Sequence, residues 1–368
     1  MASKFKKNIV RPNIFDYNLA IFGTMGVGKS TLAYQVCHKL LGDDYVIFNC
    51  GKEDGVKALP DAIYYDCPTW DTLADIVDEI VEERDTEYKD LKVIVLDTID
   101  QIYDMAEKKV IEMSNRKNPT KKATTINEAF SGFGAGLKKT EDIVLDVLWK
   151  IKSVGINIFV IGHTKNKTMV DVMSDTEYDI LTSNLPNRYF NEIATKMDVI
   201  GMCYVDRDII TEKTNRKDFK GKTIEKNVIA NEARKICFRS DDYVAASKSR
   251  FPDIEGVIDL NADAFIEAIE TAIQKLIDSS GMSKNDIEKH YEKEKKAEEA
   301  ERVKAKEKKA EVNEEENANL IEVIKANFID LNKTQQAEVL SVIKEAGYNT
   351  FSVDMPTKLL RQVVTMVN

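Results

Sequence analysis

The chain has 368 residues, of which 43% are hydrophobic, and it carries a formal net charge of -10 at pH 7. This length suggests about two domains with a substantial core, and the negative charge argues against a uniformly basic nucleic-acid binder, although local basic loops are compatible with it. The five scattered cysteines predict neither a disulfide framework nor a zinc site, and without a signal peptide or a bilayer-length apolar run we expect a soluble, cytoplasmic protein that contacts no membrane.

A glycine-rich loop follows the first predicted strand. The apolar run 19–22 leads into Gly-Thr-Met-Gly-Val-Gly-Lys-Ser at 23–30, and residues with helical spacing come next, which is the strand, loop and helix order of a phosphate-binding P-loop. Backbone N–H groups and the positive end of the helix dipole would surround a phosphate. We expect Lys29 to reach the β- and γ-phosphates and Ser30 to ligate Mg²⁺, with ATP as the nucleotide. The predicted nucleotide contacts are Gly23, Thr24, Met25, Gly26, Val27, Gly28, Lys29, Ser30 and Thr31.

A polar segment, 49–55, closes the second predicted strand, 45–48. Ligands of open α/β sheets bind at the carboxyl ends of the strands, so a carboxylate in this segment would face the phosphates. Glu53 is therefore a candidate base for the attacking water. Asp54 could fill the same role, and a solvated turn residue is an equally good explanation of Glu53.

A β-branched run, 92–96, ends in Asp97 and is typical of a Walker B strand. Apolar residues at helical spacing precede it at 70–90, which leaves room for one intervening βα unit. We expect Asp97 to hold Mg²⁺ opposite Ser30. Thr98 stands where many ATPases with an adjacent Asp-Glu pair have Glu, which favours Glu53 as the catalytic carboxylate.

The pattern then loosens into a basic segment, 115–122, that contains Asn, Pro and Thr and predicts a mobile surface loop. It is either a solubilising loop or a contact for the phosphate backbone of a nucleic acid. A helix is predicted to begin with Thr140 as its cap and to end at Gly155. The next strand, 156–163, ends in His163, which could bind a γ-phosphate or could be a satisfied core histidine.

Polar residues without clear periodicity fill 165–192, and an irregular segment of this length is usually functional or disordered. Two further strands are predicted at 199–205 and 235–239, joined by a charged excursion. After them Lys248 and Arg250 alternate on an extended segment. This pair could stabilise charge on a phosphoryl group bound to a neighbouring subunit, or it could be two surface cations.

A composition rich in Lys, Glu and Ala separates a core, 1–280, from a small all-helical module, 319–368. We interpret the intervening 281–318 as a charged helical linker. Within the module, Asn332 and Gln335 predict a capping box, and a last helix should begin near Pro356. Docking to a partner or to DNA is the role that this module suggests.

Several of these features together resemble one family, the phage-encoded RecA-like ATPases, which are AAA-type nucleotide-binding proteins linked to single-strand annealing recombination. The resemblance covers about residues 15–275. It implies an α/β fold: a RecA-like P-loop NTPase core with a mainly parallel central sheet flanked by helices. It also implies that the His163 strand lies between the P-loop strand and the Walker B strand. The features that carry the resemblance are the P-loop, Asp97 without a following Glu, Gly132-Phe133-Gly134, Gly162-His163 and Lys248-Ser249-Arg250.

The resemblance also implies roles for particular residues. His163 would stand at the position of the γ-phosphate sensor, where Gln is common in the family, and Glu53 would match the catalytic glutamate. Lys248 and Arg250 would enter a neighbour's site in a ring or filament of identical subunits. The segments 115–122 and 165–188 would be DNA-binding loops. Tyr178, within the second loop, and Tyr189, directly after it, are the evident aromatic residues that could stack on bases. The implied phosphate contacts are Lys117, Lys121, Lys122, Lys165, Lys167 and Arg188.

The expected function is that of an ATP- and Mg²⁺-dependent ATPase, stimulated by single-stranded DNA and active in phage recombination or annealing in the host cytoplasm. The C-terminal module is then a candidate docking element for a single-strand-binding protein. One alternative is a hexameric helicase or loader that uses the same core. Two others come from different classes: a small-molecule phosphotransferase, which should carry an Arg-rich lid, and a regulatory nucleotide-binding module that does not hydrolyse its ligand.

Overall fold

A ten-stranded, mainly parallel sheet forms the centre of the computed structural model. The structure describes residues 9–53, 55–170, 175–217, 219, 223–239, 244, 246–282, 284–329 and 331–367. The chain divides into two compact units, Met1–Tyr291 and Glu292–Asn368. This division falls after Tyr291, and the domain boundaries predicted at 280 and 318 stay predictions.

The strand order places the P-loop strand near the middle of the sheet. Along the sheet the order is β10-β8-β7-β1-β5-β4-β2-β3, with β6 paired to β5 and β9 paired to β7. The strand that carries His163 therefore lies between the P-loop strand and the Asp97 strand. The strands are β1 Leu19–Gly23, β2 Tyr45–Cys50, β3 Tyr64–Cys67, β4 Val93–Asp97, β5 Asn157–Val170, β6 Glu177–Ser183, β7 Val199–Lys217, β8 Thr223–Cys237, β9 Lys248–Ser249 and β10 Val257–Asp259.

Helices cover both faces of the sheet. Helices α2 to α5 pack on one face and α1 and α6 on the other, so successive residues of β1 enter two different cores. Parallel sheets are normally buried on both faces in this way, which explains the continuous apolar runs in the sequence. The predicted mixed α/β class is confirmed. The helices are α1 Lys29–Leu41, α2 Trp70–Glu82, α3 Ile99–Lys117, α4 Ala135–Ser153, α5 Asn187–Lys196, α6 Ala262–Ser279, α7 Lys284–Phe328, α8 Lys333–Glu345 and α9 Thr357–Val367.

Helix α4 begins earlier than the sequence predicts. Its N-cap is Gly134 in a left-handed conformation, and Thr140, the predicted cap, lies inside the helix. The Thr140 hydroxyl donates to the carbonyl of Gly136 at 3.1 Å, one turn earlier. A Thr side chain can either cap a helix or donate to a carbonyl one turn earlier within it, so Thr140 alone does not determine where the helix starts.

Two segments interpreted as irregular or as a charged excursion are β-hairpins. Strand β5 continues past His163 and pairs with β6 from Thr164 opposite Ser183 to Val170 opposite Glu177. Strands β7 and β8 form a second, longer hairpin. Many side chains of both hairpins are exposed, so the strands lack the alternation of apolar and polar residues by which a half-buried strand is recognised. Both hairpins project beyond the carboxyl edge of the parallel sheet.

The C-terminal unit has a core of its own, built from the end of α7 together with α8 and α9. The predicted capping box is confirmed: Asn332 accepts from the N–H of Gln335 at 3.0 Å, and the Gln335 side chain accepts from the N–H of Asn332 at 3.2 Å. A buried Asn317 donates to two carbonyls of the segment before α9. Among the described residues, no helix is both long enough and apolar enough to cross a bilayer.

Candidate active site

The P-loop connects β1 directly to α1 and takes a shape that glycine permits. Gly26 and Gly28 have φ angles of 74° and 112°, in the left-handed region that side chains disfavour. Gly23 lies against β7, where a Cβ atom on it would be only 2.8 Å from Cys203. Met25 is 87% exposed at the tip of the loop. The loop is thus held closely to the sheet at its base, while its tip faces solvent.

Lys29 is a buried cation without a carboxylate partner among the described residues. Its Nζ donates to the carbonyls of Gly23 at 2.9 Å and of Thr24 at 3.0 Å. Burial lowers the pKa of Lys29, because the charged form loses hydration that the two carbonyls replace only in part. A phosphate bound in the loop would place negative charge directly against the Lys29 ammonium group. The residues of the loop therefore fit a nucleotide.

Asp97 and Ser30 meet at the carboxyl end of β4. The Ser30 hydroxyl donates to Oδ2 of Asp97 at 2.7 Å. Burial raises the pKa of Asp97, and the hydrogen bond from Ser30 opposes this shift. No group of three or more His, Cys, Asp or Glu side chains suited to a metal occurs in the described part of the chain. A hydroxyl and a carboxylate nevertheless fit Mg²⁺, which usually keeps waters and phosphate oxygens as its other ligands.

Glu53 lies in the loop after β2, close to the P-loop. A Cβ atom on Gly55 would be 3.9 Å from the Ser30 hydroxyl, so this loop packs beside the start of α1. The negative charge of Glu53 contributes to the pKa values of both Lys29 and Asp97. The structure thus brings Glu53 into the neighbourhood of Lys29 and Asp97. The alternative base, Asp54, lies outside the described residues.

His163 stands beside Gly23 in the register of β1 and β5 and is anchored by Asp100. The Asp100 carboxylate accepts from the His163 backbone N–H at 2.8 Å and lies 3.5 Å from its Nδ1. Asn184 extends this contact: its backbone N–H donates to the His163 carbonyl at 2.8 Å, and its amide group is 3.5 Å from Asp100. Asp100 therefore joins the P-loop edge of β5 to the end of β6.

Arg234 is a further cation beside the P-loop. It lies on β8, and its Nη1 donates to the carbonyl of Val27 at 3.3 Å. The same nitrogen would be 3.7 Å from a Cβ atom on Gly28. Because its side chain is exposed, the guanidinium group can also contact a ligand in the loop. No sequence motif predicts Arg234 as a site residue. For Asp100 the only signal is its position as an acidic residue in the first turn of α3.

A comparison with protein families agrees with this geometry. A family model described as an AAA domain matches residues 16–231, which is more than half of the chain. The chain belongs to this AAA domain family. The match contains the P-loop, Asp97 and His163, and membership indicates a nucleotide-binding domain of the ATPase type. No curated protein matches the chain.

Lys248 and Arg250 follow the matched AAA residues in the chain and lie at the opposite edge of the sheet from the P-loop. Lys248 pairs with Ile200 at the start of β7, whereas the P-loop follows the carboxyl end of the neighbouring strand. Its Nζ donates to the carbonyls of Ala194 and Met197 at 2.7 and 2.9 Å. Arg250 is 3.1 Å from a carboxylate oxygen of Asp198. Within one chain, these cations are not brought together with the P-loop, and Lys248 fastens the end of α5.

The predicted DNA-contacting residues fall into different surroundings in the AAA domain. Lys117, Lys121 and Lys122 line one open cavity. Lys165 donates to the carbonyl of Asn184 at 3.1 Å, and Lys167 is exposed on β5.

Arg188 pairs through two nitrogens with the buried carboxylate of Glu141. Its neighbour Tyr189 is 2% exposed, stacks on Tyr103 at 4.3 Å and donates to Glu107. The prediction that Tyr189 could stack on bases is wrong, because its ring is buried in the core. Tyr178, on the β5–β6 hairpin, is exposed.

Proposed function

We propose that this AAA domain protein is an ATP- and Mg²⁺-dependent RecA-like ATPase that single-stranded DNA stimulates, acting in phage recombination or single-strand annealing. One observation carries the nucleotide part: the buried Lys29, whose Nζ donates only to backbone carbonyls among the described residues, lies beside the hydrogen-bonded pair of Ser30 and Asp97. These groups supply the cation and the oxygen ligands that phosphoryl transfer from ATP requires.

Each residue of the site has a part in this proposal. Ser30 and Asp97 would hold Mg²⁺, which would supply positive charge against the phosphate oxygens. Lys29 neutralises the β- and γ-phosphates, and Glu53 orients and polarises the attacking water. His163 would face the γ-phosphate, and Asp100 holds the residue in place because it accepts from the backbone N–H and lies beside Nδ1 of the ring.

The position of Lys165 and Lys167 on the β5–β6 hairpin supports the proposal that DNA binds. The β5–β6 hairpin leaves the sheet next to His163, so a strand bound along it would lie close to the γ-phosphate. Asp100 and Asn184 connect His163 with the end of β6 at the base of the hairpin. A change at His163 on hydrolysis would therefore be transmitted to the hairpin. This connection is the basis for proposing that DNA stimulates turnover.

Steady-state ATP hydrolysis with Mg²⁺, measured with and without oligo-dT, tests the proposal. We expect turnover that rises with DNA and falls to background in Lys29→Ala. Lys39→Ala is the matched control, because Lys39 is an exposed lysine of the same helix, paired with Asp263. Turnover that DNA leaves unchanged would contradict the DNA part, and no turnover at all would indicate a regulatory binder. Unwinding of a tailed duplex would instead indicate a helicase.

Assembly of identical subunits belongs to the same proposal. Arg250 is 57% exposed despite its contact with Asp198, so its guanidinium group is accessible to a neighbouring subunit. Lys248 is occupied within its own chain, which leaves Arg250 as the better candidate for the neighbour's site. An inactive Arg250→Ala variant should regain activity when mixed with Lys29→Ala, whose own Arg250 is intact. If the mixture stays inactive, the shared-site proposal is wrong. The C-terminal unit is proposed to recruit a single-strand-binding protein.

A further inference from the structure

Five consecutive residues before α4 have positive φ angles. The values are 55° for Phe130, 73° for Ser131, 81° for Gly132, 53° for Phe133 and 78° for Gly134. Glycine adopts this region freely, but Phe and Ser do so at a cost in free energy. The turn therefore holds three non-glycine residues, Phe130, Ser131 and Phe133, in a backbone conformation that such residues disfavour.

The turn presents Phe133 to solvent. Its relative exposure is 107%, the largest value among the exposed large hydrophobic residues of the described chain. Phe133 thus contributes nothing to the core, although its backbone is strained. A single exposed apolar residue is common on protein surfaces and needs no explanation by itself. A strained backbone that holds such a ring outward is different, because strain of this kind tends to occur at binding sites.

A basic cavity adjoins the turn. Its volume is about 690 Å³, and its wall includes Phe130 and Ser131 together with Lys117, Lys121 and Lys122. None of these three lysines forms an ion pair with a described residue.

The carboxylate in the cavity wall, Glu128, is already occupied. Its Oε2 accepts from the N–H and the hydroxyl of Thr124 at 2.8 and 2.9 Å and from the N–H of Thr125 at 3.2 Å. The three lysines outnumber this one carboxylate, so the cavity wall carries a net positive charge.

The turn also lies near the nucleotide edge of the sheet. A Cβ atom on Gly134 would be 3.6 Å from Nη1 of Arg188, the second residue of α5. That helix begins just after β6, whose last residue, Ser183, pairs with Thr164 next to His163. The exposed ring and the basic cavity are thus beside the base of the β5–β6 hairpin.

We propose that Phe133 stacks on a base of single-stranded DNA whose phosphates lie along Lys117, Lys121 and Lys122. This inference rests on the proposed DNA-stimulated function and assigns a base contact to it. Stacking requires an unpaired base with a free face, which a single strand offers and an intact duplex does not. A basic cavity beside one aromatic ring suits binding without sequence preference, because every base has a π-face.

Phe133→Gly separates binding from folding. Gly is favoured at a φ of 53°, and the exposed ring has no packing to lose, so the melting temperature should stay the same or rise. Affinity for oligo-dT should fall roughly tenfold. Trp149→Leu is the matched control, because Trp149 is an exposed aromatic residue on α4, away from the turn, and it should leave the affinity unchanged. Phe133→Trp should keep the affinity and show fluorescence quenching by oligo-dT.

An abasic oligonucleotide distinguishes stacking from charge. Wild type should bind it roughly tenfold more weakly than oligo-dT, and Phe133→Gly should bind it as well as wild type does. The salt dependence should be unchanged in Phe133→Gly, whereas Lys121→Ala should reduce the slope by about 0.7. If wild type binds oligo-dT and Phe133→Gly binds it equally well, the stacking inference alone is wrong. If wild type binds no single-stranded DNA, the inference and the DNA part of the proposed function both fail.

Discussion

Removal of Arg188 should destabilise the AAA domain rather than weaken a contact with DNA. The Glu141 side chain is 4% exposed, and its two oxygens accept from Nε and Nη2 of Arg188. The nearest other cation, Lys138, is 3.9 Å away and cannot replace both hydrogen bonds. Arg188→Met would leave the buried carboxylate without its partner. Because Arg188 itself is partly exposed, we expect a loss of about 2–3 kcal/mol in the free energy of unfolding.

Thermal unfolding followed by circular dichroism measures this loss. For a domain of this size, about 2–3 kcal/mol corresponds to a fall of roughly 4–12 °C in the melting temperature. The double variant Arg188→Met with Glu141→Gln should recover most of the stability, because it removes the buried charge as well. Arg116→Met is the control: its pair with Glu112 is on the surface, and its loss should cost less than about 1 kcal/mol.

A different outcome would support the role that the family resemblance implies for Arg188. If it contacts a DNA phosphate, Arg188→Met should leave the melting temperature unchanged and lower the slope of the salt dependence of DNA binding by about 0.7. That pair of results would refute the assignment of Arg188 to the Glu141 ion pair.

Three more predictions concern the nucleotide edge. Arg234→Ala should raise the KM for ATP several-fold, because a cation beside the P-loop is lost, and an unchanged KM would exclude this contact. Asp100→Asn should reduce the ratio of DNA-stimulated to basal turnover, because the junction between His163 and β6 is weakened; an unaltered ratio would contradict the coupling. Asp97→Asn should raise the melting temperature of the nucleotide-free protein at pH 7. Burial raises the pKa of Asp97 above its unfolded value, so the charged form opposes folding at neutral pH, and a lower melting temperature would contradict this sign.

Contiguous motifs made part of the site predictable. Lys29 and Ser30 lie within one loop whose geometry depends on neighbouring glycines, so the order of residues carries the information. Asp97 ends a fully buried strand, and its pairing with Ser30 follows from the way βα units place strand ends side by side. The strands of the central sheet were recognisable for the same reason, because burial on both faces requires uninterrupted apolar runs.

The remaining contacts join positions far apart in the chain, and no local pattern of residues predicts them. Asp100 meets Asn184 across 84 residues, and Arg234 meets Val27 across 207. Nor could the polar hairpin strands be recognised, since strand alternation disappears where both faces are exposed. The prediction for Tyr189 is wrong because a tyrosine in a polar segment can be turned inward, where its hydroxyl donates to a buried or half-buried acceptor such as Glu107.

The most direct test of the central claim is the affinity for fluorescent oligo-dT in two nucleotide complexes. One complex contains Mg²⁺ and a non-hydrolysable ATP analogue, and the other contains Mg²⁺ and ADP. If the P-loop edge and the basic segments are coupled, the triphosphate complex should bind the strand at least about fivefold more tightly, as is usual for coupled sites. Lys29→Ala should abolish this difference. Equal affinities in the two wild-type complexes would contradict the account, because the nucleotide and the DNA would then occupy independent sites.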